Sequence, residues 1–164
     1  MSEGVMNKAD RPSSIGRGIV AVLAGLLAIV ILSVGTDEVL HAAGIFPPWG
    51  QPVGEGLLLL ATIYRTLYSV AGSYLTARLA PSRPVGHALV LGGIGLVLGT
   101  LGAVATWNKG PAFGPHWYPV ALIVLAVPQC WLGGILAIRT NARREESSVR
   151  KSTRPVAATG SNQE

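Results

Sequence analysis

The chain has 164 residues, of which 49% are hydrophobic and only 13% are charged. Soluble domains carry about a quarter charged residues, so this chain lacks the groups that normally cover a water-facing surface. The apolar residues concentrate between positions 18 and 138, and both ends are polar. This distribution predicts a multi-pass protein of a cell membrane, with the lipid bilayer as its surroundings. The net charge of +5 forms no aromatic-interleaved basic stripe, so nucleic-acid binding is not expected.

Four apolar stretches are long enough to cross a bilayer, at residues 18–43, 56–80, 85–107 and 117–138. The first exceeds the roughly 7–15 apolar residues of a signal peptide, so we interpret it as a retained helix, with cleavage after residue 35 as the alternative. The connections between the stretches are short and rich in Gly and Pro. They predict an all-α, antiparallel, up-down-up-down bundle of four transmembrane helices.

The predicted transmembrane domain covers residues 15–141 and lies between two polar tails. Residues 1–14 and 142–164 are rich in charged residues and Ser and have no core pattern, which predicts disorder. The basic segment RTNARREESSVRK, residues 139–151, is also compatible with a helical extension of the fourth span. Its basic side chains would be attracted to anionic lipid.

The Lys and Arg residues are distributed asymmetrically. Of the 13, eleven lie in the two tails and at the second connection, which a four-span arrangement places on one side. The other side has only Lys109, and Arg65 lies within the second span. The positive-inside rule therefore predicts that both termini are cytoplasmic. Six aromatic residues at the opposite ends of the spans are expected to anchor in the headgroup region, with a ligand-binding lid as the alternative: Phe46, Trp49, Trp107, Phe113, Trp117 and Tyr118.

The third stretch has a row of glycines on one helical face. Gly92, Gly95, Gly99 and Gly102 recur at steps of three and four residues. Such a face lets another backbone approach closely, because lipid offers no hydrophobic drive for helix association. The partner could be a helix of the same chain, a second copy or another membrane protein.

The second stretch has an equally regular polar face. Thr62, Arg65 and Ser69 lie on it, and Tyr68 is one turn from Arg65. A helix facing lipid would gain nothing from aligning these side chains, so the face is expected to point inward. Intramembrane ionisable residues are candidate functional sites. An ion pair that holds two helices together is the structural alternative.

Arg65 lies roughly 13 Å below the outer end of its predicted span. An unpaired Arg at mid-bilayer costs at least about 2.5–3.5 kcal/mol, so we expect a carboxylate nearby. Asp37 and Glu38 lie near the outer end of the first span, within reach of an Arg side chain that extends outward. Both share a helical face with His41. The sequence predicts a polar cluster of these residues but leaves open which acid pairs with Arg65.

The sequence contains no recognisable catalytic, nucleotide-binding or metal-binding motif. No phosphate-binding loop, dinucleotide fingerprint, nucleophile elbow or zinc-protease helix is present, so we do not expect an enzyme. A metal site would need His41, Asp37 or Glu38, and His116, and the Glu-x-x-His pattern has no second copy. Cys130 is the single cysteine, which excludes an intramolecular disulfide and a multi-Cys zinc site. No metal or cofactor is therefore expected.

The overall plan resembles that of small four-helix proteins of the bacterial inner membrane. Small multidrug transporters also have four helices, but their defining glutamate lies mid-membrane in the first helix. Here the first span has no acid before Asp37, so that residue does not carry over. We expect a non-enzymatic structural or accessory bundle. The alternative is a small-solute transporter or channel, in which Arg65 and the face of Thr62 and Ser69 line an outward-opening cavity.

Overall fold

The computed structural model describes residues 14–110 and 113–152, which form four α-helices and no strand. The helices are α1 (Ser14–Ala42), α2 (Glu55–Leu79), α3 (Pro84–Thr106) and α4 (Trp117–Ser152). The prediction of an all-helical protein is confirmed for these residues. The predicted stretches 18–43, 56–80 and 85–107 agree with α1, α2 and α3 to within a few residues, because the Gly- and Pro-rich connections end the helices.

Helix α4 continues well past residue 138, where the fourth apolar stretch ends. It runs through Pro128 and on to Ser152, and the side chains of residues 141–150 are exposed. The predicted domain boundary at residue 141 falls within this helix, in the segment for which a helical extension was the alternative. The division into a membrane domain and disordered tails stays a prediction. Residues 1–13 and 153–164 of those tails lie outside the described part of the chain.

Three of the four helices are long and apolar enough to cross a membrane. They are Ile15–Ala42, Pro84–Thr106 and Trp117–Arg150, with mean hydropathies of 2.7, 2.2 and 2.1. Their outward faces carry large exposed hydrophobic side chains such as Ile31, Leu101 and Val124. Together these helices indicate a multi-pass membrane protein. Helix α2 is not among them, because Arg65 and several Ser, Thr and Tyr residues lower its hydropathy.

Helix α2 nevertheless occupies the centre of the packing, since it contacts α1, α3 and α4. Its buried residues include many of its polar ones, and Ser73 and Thr76 are 0% exposed. The hydroxyl of Ser73 donates to the Ser69 carbonyl oxygen at 2.7 Å, so its hydrogen bond stays within the helix. The polar face of α2 therefore points toward protein, as its spacing predicts.

Glycines bring α2 against its two main neighbours. A methyl group at Gly25 of α1 would lie 2.6 Å from the carbonyl oxygen of Gly72. A methyl group at Gly133 of α4 would lie 2.9 Å from the backbone nitrogen of Tyr74 and would also overlap the hydroxyl of Ser73. Both distances are shorter than a van der Waals contact, so only glycine allows these helices to approach so closely.

The glycine row of α3 packs mainly on α4. A methyl group at Gly92 would lie 3.2 Å from the Ala126 carbonyl oxygen, and one at Gly99 would lie 3.3 Å from Ile123. The equivalent distance from Gly95 to the Ala126 side chain is 3.9 Å, an ordinary contact. Around Gly102 the described part of the chain leaves open space. A helix of the same chain thus contacts three of the four glycines.

We predict that Gly133→Ala destabilises the protein, whereas Gly102→Ala does not. The added methyl group at position 133 meets the α2 backbone, and such overpacking costs about 1–3 kcal/mol. At position 102 it meets open space. The measurement is the free energy of unfolding in mixed micelles. Equal stability of the two variants would contradict the close approach of α4 to α2.

Candidate functional site

An acid of α1 and two side chains of α2 meet near the predicted outer end of the helices. The Arg65 guanidinium donates from Nη2 to Oδ2 of Asp37 at 2.5 Å. The hydroxyl of Tyr64 donates to the other carboxylate oxygen, Oδ1. Both oxygens of Asp37 therefore accept a hydrogen bond from α2, and the charge of Arg65 has a carboxylate partner.

Solvent access differs between the two partners of this ion pair. The side chain of Asp37 is 15% exposed and that of Arg65 is 34% exposed. A partly buried pair costs less to desolvate than a deeply buried one, but either charge left alone would be unfavourable. The pair therefore holds α1 and α2 together more effectively than an ion pair on an open surface.

A second, uncharged contact lies beside the ion pair. The hydroxyl groups of Thr36 and Tyr68 are 2.9 Å apart and share a hydrogen bond. Thr36 precedes Asp37, and Tyr68 lies one turn after Tyr64. Because contacts near residue 25 of α1 involve residues 72 and 76 of α2, the two helices run antiparallel. Two neighbouring polar contacts thus fix the rotation of α1 relative to α2.

The other members of the predicted polar cluster are placed differently. Glu38 is exposed and pairs with no basic side chain in the described part of the chain. His41 has its Nδ1 2.8 Å from the Asp37 carbonyl oxygen and stacks on Trp49 with ring centroids 3.9 Å apart. The hydroxyl of Thr62 donates to the Leu58 carbonyl oxygen at 2.9 Å, within its own helix.

Ser69 is buried within the helix packing, away from the ion pair. Its carbonyl oxygen accepts the hydrogen bond of Ser73. The structure therefore brings Asp37, Arg65 and Tyr68 to one place. It leaves Glu38 outside that place and Ser69 in the helix packing.

The sequence analysis does not single out Tyr64, and it names Tyr118 only as one of six aromatic residues at the outer ends of the spans. Tyr64 belongs to an apolar cluster with Phe46 and Ala61, and Tyr118 of α4 packs against the same cluster. A signal for Tyr64 exists in the sequence, since Ala61, Tyr64 and Tyr68 follow the three-and-four spacing of one helical face. No comparable local signal joins Tyr118 to α2, because that contact depends on the packing of α4.

A cavity of about 340 Å³ opens beside the ion pair. Residues from α1, α2 and α4 line it together with residues from the two predicted outer loops. Thr62 and Ser69 are not among the residues that line it. The lining comprises Asp37, His41, Phe46, Pro48, Trp49, Gly50, Gln51, Val53, Leu58, Ala61, Tyr64, Arg65, Phe113, Gly114 and Tyr118.

His41 and His116, which lie near this end, each stack on a Trp ring and contact a backbone carbonyl oxygen. His116 lies with Nε2 3.0 Å from the Trp107 carbonyl oxygen and stacks on the Trp107 ring at a centroid distance of 4.2 Å. His41 is held similarly by Trp49, as described above. Within the described residues, no three His, Cys, Asp or Glu side chains come together as metal ligands would.

Comparison with known proteins finds no matching family model, no similar curated protein and no similar solved structure. The interpretation of the site therefore rests on its own geometry. That geometry consists of an ion-paired Arg in the lining of a cavity that also has aromatic walls. The pair can stabilise two helices, and the Arg can offer hydrogen-bond donors to a small molecule.

We predict that Arg65 is energetically coupled to Asp37 and not to Glu38. In a double-mutant cycle, Arg65→Met and Asp37→Asn should show a coupling energy of about 1–2 kcal/mol in the free energy of unfolding. The value is below that of a fully buried pair because solvent reaches the site. Asp37→Asn should be the more harmful single change, since an unpaired carboxyl can take up a proton and a guanidinium cannot readily lose one.

Glu38→Gln is the matched control for this cycle, because it neutralises the neighbouring acid without touching Arg65. Its coupling with Arg65→Met should stay below about 0.5 kcal/mol. A coupling with Glu38 as large as that with Asp37 would show that either acid can neutralise Arg65. Absence of coupling with both would mean that another group balances the charge.

Proposed function

We propose that α2 also crosses the membrane, so that the chain forms an antiparallel bundle of four transmembrane helices in a bacterial inner membrane with both termini cytoplasmic. Helix α2 has 25 residues and is about 37 Å long, enough for a bilayer core of about 30 Å. Its contacts with the other three helices support a span inside the bundle. The distribution of Lys and Arg supports the orientation.

As a function for this bundle we propose a non-enzymatic structural or accessory role in the membrane. The observation that carries this proposal is the use of the Arg65 charge: Asp37 accepts its hydrogen bond and is in turn held by Tyr64. A substrate-binding Arg usually keeps its charge available for the substrate. Here Asp37 compensates the charge of Arg65 in a contact between α1 and α2.

The packing beneath the cavity supports the same proposal. Gly25 and Gly72 bring the backbones of α1 and α2 into contact, and Gly133 brings α4 against Ser73. Ser73 and Thr76 are 0% exposed at this level. A route for a solute from the cavity to the other end would have to separate these helices.

A small-solute transporter or channel is the second candidate function, and the cavity beside Arg65 is the observation that favours it. The cavity opens at the predicted outer end and contains both charged side chains of the ion pair. The polar residues Thr62 and Ser69, which such a pathway would be expected to use, do not line the cavity. This candidate therefore requires a second conformation of the bundle.

Association with a second copy or with another membrane protein through the α3 glycine face is a further part of the proposal. Gly92, Gly95 and Gly99 contact α4 in the same chain, and Gly102 borders open space. A partner helix would therefore meet the Gly102 end of this face.

Cysteine accessibility tests the topology and separates the two candidate functions. In a Cys130→Ala background, Gln51→Cys should react with a membrane-impermeant thiol reagent from the outside, and Ser82→Cys and Ser161→Cys only after permeabilisation. Ser69→Cys should react from neither side, because Ser69 is buried in the helix packing. The measurement is the extent of labelling in intact and permeabilised cells.

Each position has its own contradicting result. Labelling of Ser82→Cys in intact cells would overturn the proposed topology. Labelling of Ser69→Cys by a small water-soluble reagent would overturn the structural role and favour a water-filled pathway. The protein with its native Cys130 is the control, since this buried thiol should stay unlabelled in the folded state.

A further inference from the structure

The cavity near the predicted outer end has the size and shape of a binding site for a small molecule. Its volume of about 340 Å³ lies within the range of about 300–1,000 Å³ that ligand pockets occupy. Its lining comes from α1, α2 and α4 and from the loops that follow α1 and precede α4. A ligand would therefore enter from the same end at which the Asp37–Arg65 pair lies.

Aromatic side chains form part of the cavity walls, and some of them are held in place before any ligand binds. Phe46, Trp49, Phe113 and Tyr118 line it. Trp49 stacks on His41 with an interplanar angle of 6°, and Phe46 meets the same imidazole edge-on at a centroid distance of 5.3 Å. Aromatic walls favour a flat, apolar body, which can stack or pack edge-to-face against them.

The hydrogen bonds that Asp37 accepts leave N–H donors of the Arg65 guanidinium for a ligand. Both carboxylate oxygens of Asp37 already accept a hydrogen bond, from Tyr64 and from Arg65. A guanidinium has five N–H donors, and Asp37 accepts from Nη2 of Arg65. The Arg65 side chain is 34% exposed, although its Nε is buried and has no acceptor among the described residues, so the donors within reach of a ligand are those of the Nη groups. A ligand that carries an acceptor oxygen is therefore better matched to this site than one that carries only donors.

Charge selects among the ligands that carry an acceptor. Arg65 and Asp37 are the Lys, Arg, Asp and Glu residues among those that line the cavity, and their charges compensate each other. An anionic ligand would leave one uncompensated negative charge in a site where apolar groups reduce solvation, which is unfavourable. An uncharged ligand leaves the compensation intact.

We propose that this cavity binds an uncharged, mainly apolar aromatic molecule that carries a carbonyl-type hydrogen-bond acceptor. Its apolar ring lies between the aromatic walls, and its oxygen accepts a hydrogen bond from the Arg65 guanidinium. The proposal deepens the second candidate function by naming the ligand class, but it requires binding only and no passage through the bundle.

Three probes with the same ring system test the proposal. They are 2-acetonaphthone, which has a carbonyl acceptor, 2-ethylnaphthalene, which has none, and 2-naphthoate, which is an anion. The thermal unfolding midpoint of the full chain in detergent, measured against probe concentration, gives an apparent affinity for each. We expect the ketone to bind about fivefold more tightly than 2-ethylnaphthalene, as one hydrogen bond allows, and about tenfold more tightly than 2-naphthoate.

Val53→Phe and Ile45→Phe form a matched pair of variants. Val53 lines the cavity, whereas Ile45 lies in the same loop, is 50% exposed and does not line it. Val53→Phe should weaken ketone binding at least about tenfold by filling the cavity, and Ile45→Phe should leave it unchanged. Each variant without probe gives its own baseline, so a general effect of the ketone on the detergent appears equally in both.

Each contradicting result removes a different part of the inference. Equal ketone binding by Val53→Phe and the unchanged chain would overturn the cavity as the site. Equal binding of the ketone and 2-ethylnaphthalene would overturn the acceptor requirement, and tighter binding of 2-naphthoate would overturn the preference for an uncharged ligand. The labelling of Ser69→Cys tests separately whether a solute can pass through the bundle. Ketone binding without labelling of Ser69→Cys would indicate a binding site without transport. Labelling without ketone binding would indicate a water-filled pathway that does not use this ligand.

Discussion

The arrangement of α1 and α2 at the predicted outer end depends on the compensation of the Arg65 charge. Arg65 lies in a helix surrounded by three apolar ones, and its guanidinium cannot readily lose a proton. Asp37 balances it from α1, and Tyr64 binds the remaining carboxylate oxygen. The depth and rotation of α1 relative to α2 must satisfy this geometry. The neighbouring contact between Thr36 and Tyr68 requires the same rotation.

The central position of α2 depends on small residues. Close approach at Gly25, Gly72 and Gly133 leaves no room for side chains or solvent between the helices. The Ser73 hydroxyl there forms a hydrogen bond within its own helix, whereas the buried Thr76 hydroxyl has no hydrogen-bond partner among the described residues. This arrangement explains how a helix with many polar residues can lie at the centre of the packing. Its polarity faces protein, and its neighbours present their apolar faces outward.

The ion pair and the cavity are consequences of the same loop arrangement. The connection after α1 folds back so that Phe46 packs against Ala61 and Tyr64, and Trp49 covers His41. These contacts shield the pair on one side, while the space between this loop and the segment before α4 stays open. Arg65 is therefore partly accessible although its charge is compensated. A site of this kind suits recognition through hydrogen bonds better than through net charge.

The sequence by itself determined the helical class, the approximate ends of α1, α2 and α3, and the need for an acid near Arg65. These properties follow from local hydropathy, from Gly and Pro in the connections, and from the cost of an isolated charge. The inward orientation of the α2 polar face and the close packing of Gly92 and Gly99 also follow from spacing. Each of these depends on residues that are neighbours along one helix.

Only the tertiary structure decided that Asp37, and not Glu38, meets Arg65. Adjacent residues of a helix point about 100° apart, so the rotation of α1 selects between them, and that rotation depends on packing along the whole helix. The same reason applies to Tyr118, which reaches the site through the placement of α4, and to the cavity, which forms between loops distant in sequence. Contacts between separate helices depend on their relative rotation and depth, which no single segment specifies.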